Sequence, residues 1–170
     1  MYAMPVELQP TLRGTLIDLR PLHADDWPAL YAVASDPLVW AQHPASDRYQ
    51  EDVFREFFRI ALESQAALIA IDLQNGQVIG CTRYHGYDEA AREIEIGWSF
   101  LACSHWGGRY NGEMKQLMLQ HAFQFVDRVV FVIGPHNLRS RRAIERIGGA
   151  LIGPRVVRGQ ENVIYCIAKP

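Results

Sequence analysis

A glycine-rich turn between a predicted strand and a predicted helix constrains the fold of this chain more than any other segment. The turn spans residues 105–113; it follows the alternating segment 93–101 and opens the amphipathic segment 111–126. Backbone N–H groups at such a turn can approach a phosphate closely, and the helix dipole favours negative charge. The pattern predicts either a phosphate site or an ordinary loop whose glycines only permit positive φ.

Length and composition predict one compact domain over residues 1–170. Hydrophobic residues make up 49% of the sequence, which is enough for a sizeable core. The first ten residues show no charged-then-apolar leader, and apolar runs such as residues 66–71 are too short to cross a bilayer. We therefore expect a cytoplasmic protein without membrane contact.

Charge and cysteine content restrict the classes of ligand that this chain is expected to bind. A net charge of −2 argues against nucleic acid as a partner. Three cysteines without metal-type spacing predict neither disulfides nor a metal site. A predicted helix over residues 138–147 carries four arginines whose planar donors suit phosphate: Arg139, Arg141, Arg142 and Arg146. Helical spacing spreads them around the circumference, so one or two face a ligand and the others face water.

Hydrophobic periodicity predicts strands that alternate with helices. The predicted strands are residues 15–20, 67–73, 77–87, 93–101, 128–133, 150–157 and 162–168. A first helix begins near His23 and ends near Asp36-Pro37, and the others cover residues 50–63, 111–126 and 138–147. Asn75-Gly76 marks a two-residue hairpin turn. No repeat or linker calls for a second domain.

Four short motifs follow one another along nearly the whole chain. They are Leu19-Arg20-Pro21-Leu22, Glu95-Ile96-Gly97-Trp98, Trp106-Gly107-Gly108-Arg109-Tyr110 and Asn137-Leu138-Arg139-Ser140. In this order they resemble the GNAT superfamily of acyl-CoA N-acyltransferases, especially its branch of ribosomal-protein N-terminal acetyltransferases. The resemblance implies an α/β (α+β) fold with about four helices. Its mixed, mostly antiparallel sheet splays between the fourth and fifth strands.

The resemblance also implies where acetyl-CoA binds. The pantetheine arm would lie in the cleft of the splayed sheet, the diphosphate would lie on the glycine turn, and Asn137 would border the thioester. The implied cofactor contacts are Phe100, Leu101, Ala102, Gly107, Gly108, Arg109, Tyr110, Asn111, Gly112, Asn137 and Arg142.

One departure from the family pattern lies in the turn itself. The family usually carries a second small residue at the position of Arg109. The arginine side chain either points outward, contacts phosphate itself, or obstructs the turn and weakens the site. Gly108 next to it supplies backbone freedom.

Acetyl transfer to an amine requires a base for the amine and a proton donor for the thiolate. Glu93 and Glu95 share one strand face by alternation, opposite Ile94, Ile96 and Trp98. Glu95 is the predicted base, directly or through a water; the alternative is a carboxylate that orients a loop or pairs with arginine.

Ser140 is the predicted proton donor by resemblance to the ribosomal-protein branch. The alternative is first-turn hydrogen bonding, with Asn137 as a helix N-cap.

Together these features predict an acetyl-CoA-dependent N-acetyltransferase that transfers acetyl directly to a primary amine. The branch suggests a protein or peptide N-terminal α-amine as the acceptor. Two alternatives stay open: a small amine such as an antibiotic, polyamine or amino acid, and a non-catalytic relative that binds CoA as a sensor. We expect no metal, no nucleic acid, no membrane partner, and a monomer or homodimer.

Overall fold

Eight strands form one sheet with helices on both faces in the computed structural model, which describes residues 5–170. The strands are β1 (Leu12–Arg13), β2 (Ile17–Pro21), β3 (Ala67–Asp72), β4 (Val78–Asp88), β5 (Glu93–Leu101), β6 (Arg128–Ile133), β7 (Ala150–Val157) and β8 (Gln160–Ala168). Their order across the sheet is β1-β2-β3-β4-β5-β6-β8-β7. All predicted strands are present, and the two-residue β1 is an addition too short to show periodicity.

Five α-helices accompany the sheet. They are α1 (Trp27–Ala34), α2 (Pro37–Trp40), α3 (Glu51–Ser64), α4 (Arg109–Ala122) and α5 (Leu138–Arg146). The short α2 follows α1 because the Asp36 side chain accepts the N–H of Leu38 and Pro37 occupies the first turn. No helix within residues 5–170 is long and apolar enough to span a membrane.

The sheet opens between β5 and β6, which are the fourth and fifth of the predicted strands, as the family resemblance implied. These strands run parallel and pair only over Glu93–Arg128, Ile94–Val129 and Glu95–Val130. From residue 96 onward β5 stays with β4, whereas β6 follows β8. All other neighbouring strands pair antiparallel. The mostly antiparallel, splayed sheet therefore leaves one edge of β5 unpaired along its second half.

A bulge in β5 corrects the predicted position of Trp98. The β4–β5 register shifts between Cys81 and Arg83, and Trp98 has a left-handed φ of 52°. The Arg158 guanidinium, which pairs with Glu95, also lies over the Trp98 ring. Trp98 therefore shares the face of Glu95. The prediction that it lies opposite was wrong because strict alternation fails at a bulge.

Helix α4 begins two residues earlier than predicted. Gly108, with φ of 101°, is the N-cap, so Arg109 is the first helical residue. The Glu113 carboxylate accepts hydrogen bonds from the backbone N–H groups of residues 15–17 at 2.7–2.9 Å. This contact fixes the start of α4 against β2. The helix ends at Ala122, and the apolar pattern continues beyond it through a turn.

Two apolar layers hold the sheet from its two sides. On one face, Met114 and Met118 of α4 pack with Ile94 and Ile96 of β5. On the other face, α1 and α3 pack against the sheet around Phe54. Because helices and buried side chains cover both faces, the gap between the diverging ends of β5 and β6 is a site where a ligand can enter the sheet.

Candidate active site

Two adjoining cavities occupy the splayed part of the sheet. The larger, here the central cleft, has a volume of about 290 Å³ and lies between the diverging ends of β5 and β6. The smaller, here the glycine groove, has a volume of about 100 Å³ and leads to the glycine turn. Ser99, Asn111, Ser140 and Ala143 line both cavities. The two therefore form one continuous path.

The glycine turn presents free backbone donors to the groove. Gly107 and Gly108 have φ of 115° and 101°, a region that L side chains rarely adopt. The N–H groups of residues 107–111 donate to no group within residues 5–170. No acidic side chain lines the groove, whereas Arg139 and Arg146 do. Free N–H groups, a helix N-terminus and two guanidinium groups together suit a phosphate-bearing ligand.

One wall of the glycine groove is a stacked pair. The Arg139 guanidinium carbon lies 3.7 Å from the centre of the Trp106 ring, and the indole Nε1 donates to the Leu101 carbonyl at 3.0 Å. This stack joins the start of α5 to the end of β5. The sequence did not reveal it because the two residues lie 33 positions apart.

The structure brings most, but not all, of the predicted cofactor residues to the path. Phe100, Leu101, Gly107, Gly108 and Asn111 line the groove, and Asn137 lines the cleft. Five others line neither cavity: Ala102, Arg109, Tyr110, Gly112 and Arg142. Arg142 is exposed, and its place toward the groove is taken by Arg139 and Arg146, which lie two helical turns apart.

A buried carboxylate anchors the turn from behind. Asp72 is 2% exposed and lies 2.8 Å from His105 Nε2, and it accepts a 3.4 Å hydrogen bond from the Tyr110 hydroxyl. The His105 hydrogen bond lowers the pKa of Asp72. Tyr110 is thereby turned away from the groove. Sequence reasoning missed Asp72, since nothing local marks the end of β3 as a partner of a distant turn.

Glu95 lies at the far end of the path from the glycine turn. It lines the central cleft and is 8% exposed. Burial raises the pKa of Glu95, and the positive charge of Arg158, 3.6 Å away, opposes that rise. Glu93 instead pairs with Arg128 at 3.2 Å and lines neither cavity. Of the two glutamates, only Glu95 is placed to meet a molecule in the cleft.

Ser140 lies where the two cavities join. Its backbone N–H donates to the Asn137 side chain at 3.4 Å, so Asn137 is the N-cap of α5. The cap uses the backbone of Ser140 and leaves its hydroxyl without a partner among residues 5–170. That hydroxyl is consequently available to a ligand.

Lys115 is a cleft residue that sequence reasoning missed. It is 4% exposed, lines the central cleft and donates to the Ser99 hydroxyl. Burial lowers the pKa of Lys115 to about 7. The available signal was its helical position, since it shares a face of α4 with the buried Met118 and Leu119.

The sequence matches a family model over most of its length. A model described as an acetyltransferase (GNAT) domain matches residues 17–150. No curated protein sequence matches the chain.

Solved structures of acetyltransferases resemble this chain closely in fold. A GCN5-related N-acetyltransferase from Brucella melitensis superposes with a TM-score of 0.81 at 24% identity, over 96% of this chain and 80% of that one. An acetyltransferase from Agrobacterium tumefaciens gives 0.73 at 25% identity, over 99% and 98%. The microcin self-immunity acetyltransferase MccE, solved with acetyl-CoA and AMP, gives 0.76 at 16% identity, over 97% and 100%. All three share the architecture described above.

Proposed function

Because this chain belongs to the GNAT acetyltransferase family, we propose that it transfers the acetyl group of acetyl-CoA directly to a primary amine in the central cleft. The observation that carries this proposal is the continuous path from a glycine turn with free N–H groups to the buried Glu95. The path offers one end suited to a diphosphate and another suited to a base.

The residues of the glycine groove fit acetyl-CoA. The N–H groups of residues 107–111 would hold the diphosphate, together with Arg139 and Arg146. The unpaired edge of β5 at Phe100 and Leu101 would pair with the amides of the pantetheine arm. MccE, which shares the fold, was solved with acetyl-CoA, and this supports the same ligand here.

Two side chains in the cleft transfer the protons that the reaction requires. Acetyl-CoA supplies an activated acetyl group, whereas an aliphatic amine is mostly protonated near pH 7 and cannot attack. Glu95 accepts the amine proton, directly or through a water, and Ser140 donates a proton to the departing thiolate. Asn137 holds Ser140 at the junction of the two cavities.

The acceptor is either a peptide N-terminus, as the branch resemblance suggests, or a small amine. A non-catalytic CoA-binding role would not use the Glu95 carboxylate in the cleft or the free Ser140 hydroxyl at the junction of the two cavities. Their presence in the cleft favours an enzyme.

Replacement of Gly107 by valine is expected to weaken acetyl-CoA binding at least about tenfold, measured by calorimetry. Gly107 lines the groove, and a Cβ there meets no protein atom within 4 Å, so valine adds bulk beside the proposed diphosphate site without disturbing the core. Gly76→Val is the matched control, because Gly76 also has positive φ (72°) and an open Cβ position, but lies in the β3–β4 hairpin.

Both glycine variants carry similar backbone strain, about 1–3 kcal/mol. Equal loss of acetyl-CoA affinity in the two would show that strain, and not the groove, decides binding. Undiminished affinity in Gly107→Val would place the diphosphate elsewhere.

Replacement of Arg109 by glycine is expected to change acetyl-CoA affinity by less than about threefold, since surface cations contribute little. Arg109 is exposed and lines neither cavity, although its backbone N–H belongs to the turn. The same calorimetric titration measures it. A larger loss of affinity would show that the arginine side chain itself recognises phosphate.

A further inference from the structure

We infer that the acceptor amine carries an anionic group, a carboxylate or a phosphate, and that Arg48 and Arg158 of the central cleft bind it, with Arg83 stacked on the adjoining Trp98. The inference rests on the proposed acetyl transfer and names the class of acceptor. It departs from the peptide N-terminus that the branch resemblance suggests.

The central cleft carries an excess of positive charge. Arg48 and Arg158 line it, and Glu95 is its only acidic lining residue within residues 5–170. Glu95 lies 3.6 Å from Arg158 and offsets part of one charge. A cationic acceptor such as a polyamine would meet repulsion here, whereas an anion would meet attraction.

Arg83 lies beside this charge: it stacks on Trp98, which lines the cleft, although Arg83 itself lines neither cavity. Its guanidinium carbon is 3.6 Å from the centre of the Trp98 ring, and the Arg158 guanidinium covers the same ring at 4.8 Å. Burial lowers the pKa of both Arg48 and Arg83; the Arg83 charge lowers the pKa of Arg48 further, and the Arg158 charge lowers that of Arg83, which the Glu95 charge raises. Arg83 and Arg158 thus place positive charge on Trp98, and Arg48 adds a third guanidinium that faces the same cleft.

Arg83 also lacks the partners that a buried guanidinium needs. It is 5% exposed, and its Nε is the only buried side-chain nitrogen or oxygen atom of residues 5–170 without a hydrogen bond. No carboxylate of these residues lies within 4.0 Å of Arg83 or Arg48. Burial without a counter-ion is costly, and a bound anion would supply one.

Arg48 is held in place by apolar rings and not by an acid. Its guanidinium lies 5.0 Å from the Phe57 ring and 5.5 Å from the Trp40 ring. Burial and the nearby Arg83 lower the pKa of Arg48 to about 10, so it stays charged near neutral pH. The Arg48 guanidinium is thus charged, held in place and directed to the cleft, and its paired N–H donors suit a carboxylate or phosphate.

This site is separate from the phosphate end of the path. The glycine groove has its own cations, Arg139 and Arg146, and neither Arg48 nor Arg158 lines that groove. Arg158 instead adjoins Glu95. If the anionic group of an acceptor binds Arg158, an amino group a few bonds from that anion therefore lies beside Glu95, the proposed base.

Matched pairs of acceptors that differ only in charge test the inference. The carboxylates glycine, β-alanine and 4-aminobutyrate are each compared with their amides, and O-phosphoethanolamine is compared with ethanolamine. Binding to the CoA-saturated protein is measured by calorimetry, and kcat/KM for acetyl transfer is measured separately. We expect at least one anion to bind about tenfold or more tightly than its neutral partner.

Arg158→Gln and Arg83→Gln are expected to reduce this charge preference about tenfold or more. Arg158 is half exposed, so its variant folds even where the buried Arg83 variant does not. Arg55→Gln is the control, because Arg55 also stacks on a tryptophan, Trp27 at 4.4 Å, and lines neither cavity. Its charge preference should equal that of the wild type.

The two readouts separate the inference from the proposed function. Charge-selective binding that the Arg158 variant loses supports the anion site, even if no amine is acetylated; in that case the proposed transfer fails. Equal binding of anionic and neutral amines, or a preference unaffected by both variants, overturns the anion site even where transfer is efficient. Carboxylate and phosphate pairs distinguish the two kinds of anion.

Discussion

Replacement of Glu95 by glutamine is expected to lower kcat for acetyl transfer by about 100-fold or more, with acetyl-CoA affinity within about twofold of the wild type. The substitution keeps the size of the side chain but removes its capacity to accept a proton. Glu95 lies in the cleft and not in the glycine groove, so cofactor binding should not depend on it. Steady-state kinetics with the best acceptor of the amine panel, together with calorimetry, measures both quantities.

The pH dependence of kcat/KM supplies a second signature of Glu95. A base works when deprotonated, so the rate falls as the pH drops through the pKa of Glu95, which burial raises. The glutamine variant should lack this acidic limb. Glu93→Gln is the control, because Glu93 pairs with Arg128 outside both cavities and should keep both the rate and the limb. An unchanged rate and pH profile in Glu95→Gln would remove Glu95 from the mechanism.

Replacement of Lys115 by methionine is expected to raise the free energy of unfolding at pH 7 by about 1–4 kcal/mol. Lys115 is 4% exposed, and among residues 5–170 its only polar partner is the Ser99 hydroxyl. Burial lowers its pKa from 10.5 to about 7, so the folded protein bears a cost for the charge that methionine does not incur. Methionine has a similar shape and packs beside Met114 and Met118.

The lowered pKa of Lys115 also makes the free energy of unfolding depend on pH. Between about pH 7 and 10.5 the unfolded chain holds the Lys115 proton and the folded chain does not. The free energy of unfolding of the wild type should therefore rise with pH in this window, by up to about 1.4 kcal/mol per unit. In Lys115→Met that rise should disappear.

Lys169→Met is the matched control for these measurements. Lys169 is exposed near the end of the chain, so its replacement should change neither the stability nor its slope with pH. Urea unfolding at several pH values measures all three proteins. A destabilised Lys115→Met variant would mean that the charged lysine supports the fold through contacts beyond Ser99.

The layout of strands and helices was readable from the sequence because it depends on local periodicity. Apolar patterns and turn residues predicted β2 to β8, and the glycine turn marked the start of α4 to within two residues. The splayed gap between β5 and β6 was confirmed, although it came from family resemblance and not from the residues themselves. Side-chain periodicity alone does not reveal where two parallel strands separate.

The composition of the site was less predictable because it depends on partners from distant elements. The bulge at Trp98 reverses the face of one side chain, and only its pairing with β4 reveals it. Arg139 and Arg146 line the groove instead of Arg142, because the tilt of α5 against the sheet decides which arginines face inward. The buried Asp72 and the cluster of Arg48 and Arg83 likewise join separate segments.

Acetyl transfer itself is measured by the release of the CoA thiol from acetyl-CoA in the presence of each amine of the panel, with the product identified by mass spectrometry. We expect at least one amine to accelerate release about 100-fold or more over acetyl-CoA alone, and to yield the N-acetylated product. Acetyl-CoA binding without acceleration by any amine would contradict the enzyme assignment and indicate a CoA-binding module.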